Sequence, residues 1–350
     1  MNYFNLYPST LITIGVKKAC LFDVEKAIYF HIPYSMGIFF RENYIFNIED
    51  LLSKFQLEEV SIIEEYIDFM IKNKLGMISL QPLSFTYISS FENINSPFTY
   101  ESLIIDAKDE ECLDSILTYF PLKRSSKYMQ LRLYFQPSIG YLEKTVKYLF
   151  SHCHISNLEI IFNYRTYSSL KEYQHFLNSY SFIISRLIIM GSPNNLSINE
   201  SRIILNKKKL DSELQCGIID KKLFMPNIAS YINSRKGNSC LYKKISINTF
   251  GEISNCPSMK YSYGNIRNTN LETVITQDTY QSISGLRKEK IKVCKDCEFR
   301  DICTDCRAFI KDKENIYSQP EKCEYNPYIG KWEDEEGFCP VEKSLNDINL

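Results

Sequence analysis

The thirteen residues "CKDCEFRDICTDC", 294 to 306, hold four of the chain's twelve cysteines. Two residues separate Cys294 from Cys297, and two separate Cys303 from Cys306. That is the tightest spacing at which two sulfurs of one turn can meet a metal centre. Backbone amides of such a turn can also point at sulfur, which stabilises thiolates and tunes a cluster. Three chemistries compete for these thiols: zinc, an iron–sulfur cluster, or disulfides. One tetrahedral zinc would be satisfied by Cys294, Cys297, Cys303 and Cys306 alone. The five residues between the pairs fall short of the ~15–20 usual in a zinc ribbon. Zinc would also leave Cys240, Cys256 and Cys323 without a role. Seven thiols suit two polynuclear clusters better than one zinc ion. Nine of the twelve cysteines lie beyond position 215, whereas Cys20, Cys112 and Cys153 are scattered and read as small buried hydrophobes.

The bulk composition bounds what surrounds these thiols. With 350 residues the chain has room for two or three domains. An apolar fraction of 44%, with 14% aromatic, excludes a disordered chain. Lysine and arginine total 41 against 42 acidic residues, so no charge imbalance calls for nucleic acid or an anionic membrane. The start, "MNYFNLYPSTLITIGVKK", lacks the basic and apolar regions of a secretory signal. No run approaches the ~20 apolar residues of a membrane span. A cytoplasmic location is expected, where thiols stay reduced and clustered cysteines favour metal over disulfide.

The elements that must position the thiols read as mixed α/β. In the first ~75 residues the pattern predicts three short strands and then three helices. "STLITIGV" and "ACLFDVEKAIYFHIP" are β-branched and aromatic, with a turn at Glu25-Lys26. Asn47 is a good N-cap for "NIEDLLSKF". "SIIEEYIDFMIKNKLG" puts Ile63, Tyr66, Ile67, Met70, Ile71 and Leu75 on one helical face, with Gly76 at the C′ position. This N-terminal layout, residues 1–78, is winged-helix-like and would suit a peptide recognition element. Residues 79–98 are expected to connect domains. From 99 to 225, "SLIIDA", "YMQLRLYFQ", "LEIIFNY" and "ISRLIIMG" alternate with "EECLDSILTYF", "GYLEKTVKYLF" and "SLKEYQHFLNSY". Strands alternating with single helices predict a partial βα barrel-like domain, too short for eight units. Residues 226–350 form a cysteine-rich region that includes a predicted hairpin, "LYKKISINTFGEISNCP", with a turn at Phe250-Gly251.

The cysteine order, Cys240-x10-Gly251-x4-Cys256 followed by Cys294-x2-Cys297-x5-Cys303-x2-Cys306 and then Cys323, resembles the seven-cysteine SPASM domain. That domain follows the barrel in many peptide-modifying radical SAM enzymes. The last pair departs from the usual pattern by having two intervening residues rather than three. "GNIRNTNLETVI" is also similar to the connecting segment of that domain. The resemblance implies two [4Fe–4S] clusters. It assigns Cys294, Cys297, Cys303 and Cys323 to the second cluster, and Cys240, Cys256 and Cys306 to the first. The fourth thiol of the first cluster is not in "NSRKGNS", just upstream of Cys240; Cys216 or Cys339 would have to supply it, or one iron stays open to a substrate. The stretches "ACLFDVEKAIYFHIP" and "VCKDCEFRDICTDCRAFIKDKENIYSQPEKCEYNPYIGKW" resemble the SPASM-domain peptide maturase of grasp-with-spasm systems. That resemblance implies partnership with a ribosomally synthesised precursor peptide and an ATP-grasp ligase. It also implies leader binding along "AIYFHIP" and the 61–75 helix.

A radical SAM enzyme needs C-x3-C-x2-C after its first barrel strand, and no such triplet exists here. Cleavage of SAM is therefore not expected of this chain. No phosphate-cradling G-x4-GK[ST] or G-x-G-x2-G stretch exists either, so ATP chemistry would belong to a partner. "SHCHIS" gathers His152, Cys153 and His154 but reads as a turn after a helix, and His31 and His175 read as structural. "KWEDEEG", with the only tryptophan at Trp332, reads as an exposed acidic edge. Three readings of function follow: a maturation protein whose clusters serve the precursor, a leader-binding scaffold with structural clusters or zinc, and a redox enzyme using an open iron.

Overall fold

Five hydrogen-bond donors converge on Asp23, and the N-terminal sheet turns on them. Its carboxylate accepts from the Ser9 and Thr10 hydroxyls, the Glu25 and Lys26 amides and the Lys26 ammonium, at 2.7–3.3 Å. The computed structural model describes every residue except 89–95, 121–124, 166–169, 199, 212–215 and 348–350. Two compact units result: one from Met1–Ile94, Gly217–Ser239 and Leu286–Leu350, the other from Asn95–Cys216 and Cys240–Gly285. The segment 226–350 is thus shared between units, and part of the predicted 79–98 connection lies outside the described residues.

The first unit opens with β1 (Tyr3–Leu6), β2 (Thr10–Ile14), β3 (Lys18–Asp23), β4 (Ile28–Pro33), α1 (Tyr34–Glu42), β5 (Ile45–Asn47), α2 (Ile48–Leu52), α3 (Leu57–Lys72) and β6 (Gly76–Ser79). Strands β2, β3 and β4 form an antiparallel meander with β3 in the middle. The two predicted strand regions and three helices are present, and Asn47 caps α2 by accepting from the Asp50 amide. A second small sheet, ordered β5-β1-β6, was not legible because its strands are only three or four residues long. Gly76 is not the C′ residue of α3, contrary to the sequence reading. Asn73 caps that helix, Lys74 takes the left-handed turn at φ +56°, and Gly76 begins β6 against Phe4. The core of this region joins Phe4, Ile32, Phe40, Ile63, Ile67, Met70 and Leu75.

The second unit is built on β7 (Tyr100–Ala107), α4 (Glu110–Tyr119), β8 (Ser125–Leu133), α5 (Ile139–His152), β9 (His154–Ile155), β10 (Leu158–Asn163), α6 (Leu170–Ser179), β11 (Ile184–Met190), β12 (Leu196–Ile198), β13 (Ile203–Asn206), β14 (Lys244–Ile247) and β15 (Ile253–Ser254). They form a nine-stranded sheet running β12-β13-β11-β10-β8-β7-β14-β15, with β9 beside β8. Neighbours from β13 through to β14 are parallel, and the helices α4, α5 and α6 lie in the crossovers that link β7, β8, β10 and β11. Period-two alternation turns Leu103, Ile105, Met129, Leu131, Ile160 and Phe162 into the core shared with α4, α5 and α6. The opposite face is polar: Arg132 pairs with Asp106 at 3.1 Å, and Gln130 donates to Glu159 at 2.6 Å. The predicted hairpin is β14–β15, and its first strand pairs with β7, a placement its local pattern does not disclose.

"SHCHIS" spans the end of α5, which Cys153 caps, and the short strand β9. His152 stacks on Tyr148 at 4.5 Å and its Nδ1 lies 2.9 Å from the Tyr148 carbonyl. Trp332 is not exposed, contrary to the sequence reading. It is 6% accessible and packs among Phe224, Phe299 and Tyr325. The acids after it do face outward, and Lys221 holds Asp334 and Glu335 at 2.9 and 3.2 Å.

Two stability outcomes follow. Burial alone would raise the Asp23 pKa, but the bonds from Lys26 and Ser9 outweigh it and hold the carboxyl below its ordinary value. A depressed folded-state pKa gives stability above the unfolded value, ~3.9, that is lost as pH falls through the folded one. Asp23→Asn should therefore flatten the acid limb of stability, measured by chemical denaturation from pH 7 downward. Gly251 sits at φ +81°, and an added Cβ would meet Asn265 at 3.0 Å. Gly251→Ala is expected to cost about 1–2 kcal/mol, read as a lower melting temperature.

Candidate functional site

Within the first unit, a strained turn presents the cysteine-dense loop. Val293, a β-branched residue, sits at φ +68° immediately before Cys294. Such backbone is held only where its surroundings over-determine it. Beside it the Lys292 amide bonds to the Tyr317 carbonyl and the Asp296 amide to the Val293 carbonyl, and two buried charged groups brace the rest of the loop. Lys288 donates its ammonium to Ser239 Oγ at 3.1 Å, to the Arg300 carbonyl at 3.0 Å and to the Cys303 carbonyl. Asp305, between Cys303 and Cys306, accepts from Asn238 Nδ2 at 2.6 Å and from Arg307 through two nitrogens at 2.6 and 2.9 Å. Arg307 in turn donates to the Ile316 and Ser318 carbonyls. The loop is therefore fixed from inside.

This frame brings Cys294, Cys297, Cys303 and Cys323 together. Burial is the largest cause raising the pKa of all four, and it pushes Cys303 to about 12. Charges on the neighbouring thiols add to it: Cys294, Cys303 and Cys323 each act on Cys297, and Cys303 and Cys323 on Cys294. As whole residues the four are only half-buried, but it is the desolvated sulfur that titrates. The Phe299 amide donates to Cys297 Sγ at 3.4 Å. Cys297, Cys303 and Cys323 also pack against a core of Phe299, Ile302, Tyr325 and Trp332.

Within the second unit, the β14–β15 hairpin organises another set. Cys240 precedes β14 and Cys256 follows β15. Lys244, at the start of β14, donates to Cys240 Sγ at 3.3 Å. Burial alone would lower the Lys244 pKa, but the charges of Cys240, Cys256 and Cys216 prevail and raise it. Cys216 Sγ lies 2.9 Å from Ser258 Oγ, and the Ser258 amide donates to Cys256 Sγ at 3.4 Å. The Cys256 thiol is pushed strongly upward, first by its hydrogen bond with Cys216 and then by burial. Cys216 thus stands with Cys240 and Cys256. Cys339 does not share this setting: its sulfur contacts the Pro340 carbonyl, and its own carbonyl accepts from Asn326. Cys306 is buried in the first unit, its sulfur against Gly217.

The residues fit iron–sulfur chemistry. Among the described residues, no three or more His, Cys, Asp or Glu side chains form a ready cage for one metal ion. Soft sulfur donors, amides aimed at sulfur and an apolar wall are the features that hold and tune such clusters.

Sequence reasoning missed the acid in this setting. Glu298 follows Cys297 and is fully buried. Its Oε1 lies 2.5 Å from His31 Nε2 and accepts from the Tyr325 hydroxyl. Burial first, and then the Glu298 charge, raise the Tyr325 pKa steeply. The one available signal was an acid in "DCEF", directly beside a ligand-spaced cysteine.

The family model for the SPASM iron–sulfur cluster-binding domain matches residues 239–298, which include Cys240, Cys256, Cys294 and Cys297. Among solved structures, Streptococcus suis SuiB bound to S-adenosylmethionine matches at 12% identity and a TM-score of 0.29, over 87% of this chain and 96% of that one. SuiB bound to its precursor peptide SuiA matches at 12% and 0.30 over the same shares. At such scores the likeness fixes neither the arrangement of elements nor an activity. No curated protein sequence matches the chain. No helix among the described residues is long and apolar enough to cross a membrane. Residues 239–298 are thus similar to a SPASM iron–sulfur cluster-binding domain.

Cys297→Ser and Cys256→Ser should each remove about half of roughly eight irons per chain, if each thiol set holds one cubane. Iron, acid-labile sulfide and zinc analysis of anaerobically purified protein checks this. Unchanged iron in either variant would remove that cysteine from the ligand set.

Proposed function

We propose that this chain is an iron–sulfur protein that takes part in maturing a ribosomally synthesised precursor peptide, alongside an ATP-grasp ligase that supplies the ATP chemistry. The N-terminal element is the peptide clasp. Cys294, Cys297, Cys303 and Cys323 would hold one [4Fe–4S] cluster. Cys240, Cys256 and Cys306, with Cys216 as the added ligand, would hold the other. When bound, such clusters supply one-electron chemistry or an iron at which a peptide group can dock. Cleavage of SAM is no part of the proposal, because the C-x3-C-x2-C triplet is missing.

The observation that carries the peptide-binding part is the outer edge of β4, which pairs with no other strand among the described residues. The Gly15 amide bonds to the Lys18 carbonyl and the Val24 amide to the Ser9 carbonyl, so Lys18, Cys20 and Phe22 of β3 bond toward β2. Antiparallel alternation then sends Ala19, Leu21 and Asp23 toward β4, where they pair with Ile32, Phe30 and Ile28. The backbone groups of Tyr29 and His31 consequently point away from the sheet, and Pro33 ends the edge. Beside it, Ile62, Tyr66 and Phe69 follow one another along α3 at helical spacing, with Phe69 edge-on to Phe30 at 5.2 Å and Ile62 48% exposed. An extended peptide adding a strand here would bond to Tyr29 and His31 and lay alternate side chains on that stripe.

A second reading, a leader-binding scaffold with structural clusters, is favoured by one observation: Cys297, Cys303 and Cys323 are built into the apolar core of the first unit. Modification of the precursor in the reconstituted system separates the two. A Cys306→Ala protein that keeps its fold and leader affinity but loses modification supports a role in chemistry.

The docking edge has its own test, by fluorescence anisotropy with the leader of the precursor encoded beside this chain. Tyr29→Pro removes an outward N–H where an edge strand tolerates proline, and Ile62→Asp puts a charge on the stripe. Each should weaken binding about tenfold, ~1.4 kcal/mol. Wild-type affinity in both variants would overturn docking on β4.

A further inference from the structure

We infer that His31 is a positioning residue through which a peptide docked on β4 alters the cluster held by Cys294, Cys297, Cys303 and Cys323. The inference rests on the docking reading above and names how that site is coupled to the iron. His31 faces two ways. Its backbone N–H and C=O lie on the outer edge of β4, whereas its Nε2 lies 2.5 Å from Glu298 Oε1. Glu298 follows Cys297, and Tyr325, two residues after Cys323, donates to the same oxygen. One buried carboxylate oxygen therefore ties the docking strand to the chain segments of two thiols.

The clasp has little room to relax. Glu298 is 0% exposed, and its Oε2 is buried with no hydrogen-bond partner among the described residues. A Cβ on Gly15, in the β2–β3 turn, would lie 2.6 Å from that Oε2, so only glycine admits the carboxylate there. The Phe299 ring packs 5.0 Å from His31. Three further bonds lay the 296–301 segment across the same sheet: the Val16 amide to the Asp296 carbonyl, Arg300 Nη1 to the Ile14 carbonyl and Thr13 Oγ1 to Asp301. A strand added at His31 pulls on the residue that compensates the carboxylate beside Cys297. Hydrogen bonding and charge near cluster sulfur set its potential. Losing that donor makes the reduced, more negative cluster harder to form.

The test uses full-length protein with its clusters loaded anaerobically, and the precursor leader as probe. In wild type, leader binding should shift the electron paramagnetic resonance signal of the reduced cluster and its midpoint potential. His31→Ala should keep its iron, have a lower leader-free potential, and lose the leader-induced shift at saturating leader. His31→Gln, which keeps a donor, should restore both. Should His31→Ala fail to load iron, Tyr325→Phe removes the other donor. It should lower the leader-free potential while keeping the leader-induced shift, and an unchanged potential there overturns the inference. So does an equal leader-induced shift in wild type and His31→Ala. Leader that binds wild type without any shift sinks the coupling alone, and leader that does not bind sinks the docking reading and the coupling with it.

Discussion

Four thiols desolvated beside one another resist becoming thiolates, the form that binds metal, unless a metal supplies the countercharge. Burial raises the pKa of Cys294, Cys297, Cys303 and Cys323, and each thiolate would raise its neighbours further. A fold that keeps such groups together invests a strained Val293, a buried Lys288 and a buried Asp305–Arg307 pair in doing so. Buried charges of this kind cost desolvation and are retained where they fix geometry. Metal ligation reverses the sign of the thiol problem, because a coordinated sulfur is deprotonated at neutral pH.

The second set solves the same problem differently. Cys240 and Cys256 flank a hairpin whose strand β14 carries Lys244, and the ammonium supplies a countercharge to the sulfurs. Cys216 completes a trio of thiols there without any local spacing signal. The two sets thus differ in electrostatics: one is walled by aromatic residues beside a carboxylate, the other is paired with a cation. Different surroundings give clusters different potentials.

Much of this was legible because it is local. The two-residue cysteine spacings, the Asn47 cap, the β14–β15 turn at Gly251 and the alternation of β7 to β11 with α4 to α6 are each contained within a few residues. What was not legible depends on distant partners. His31 meets an acid 267 positions away, and β14 joins β7 from 142 positions beyond it, Lys244 opposite Ser102. Trp332 was misread because its neighbours in sequence are acids, while its neighbours in space are aromatic. Gly76 was misread because Lys74 takes the left-handed turn two residues earlier.

The central claim is that these sulfurs hold iron and sulfide. Mössbauer spectroscopy of iron-57-labelled protein, purified without air, tests it most directly. The account predicts the quadrupole doublets of [4Fe–4S] clusters as the dominant signal. A colourless protein with no cluster iron and with zinc bound would contradict it.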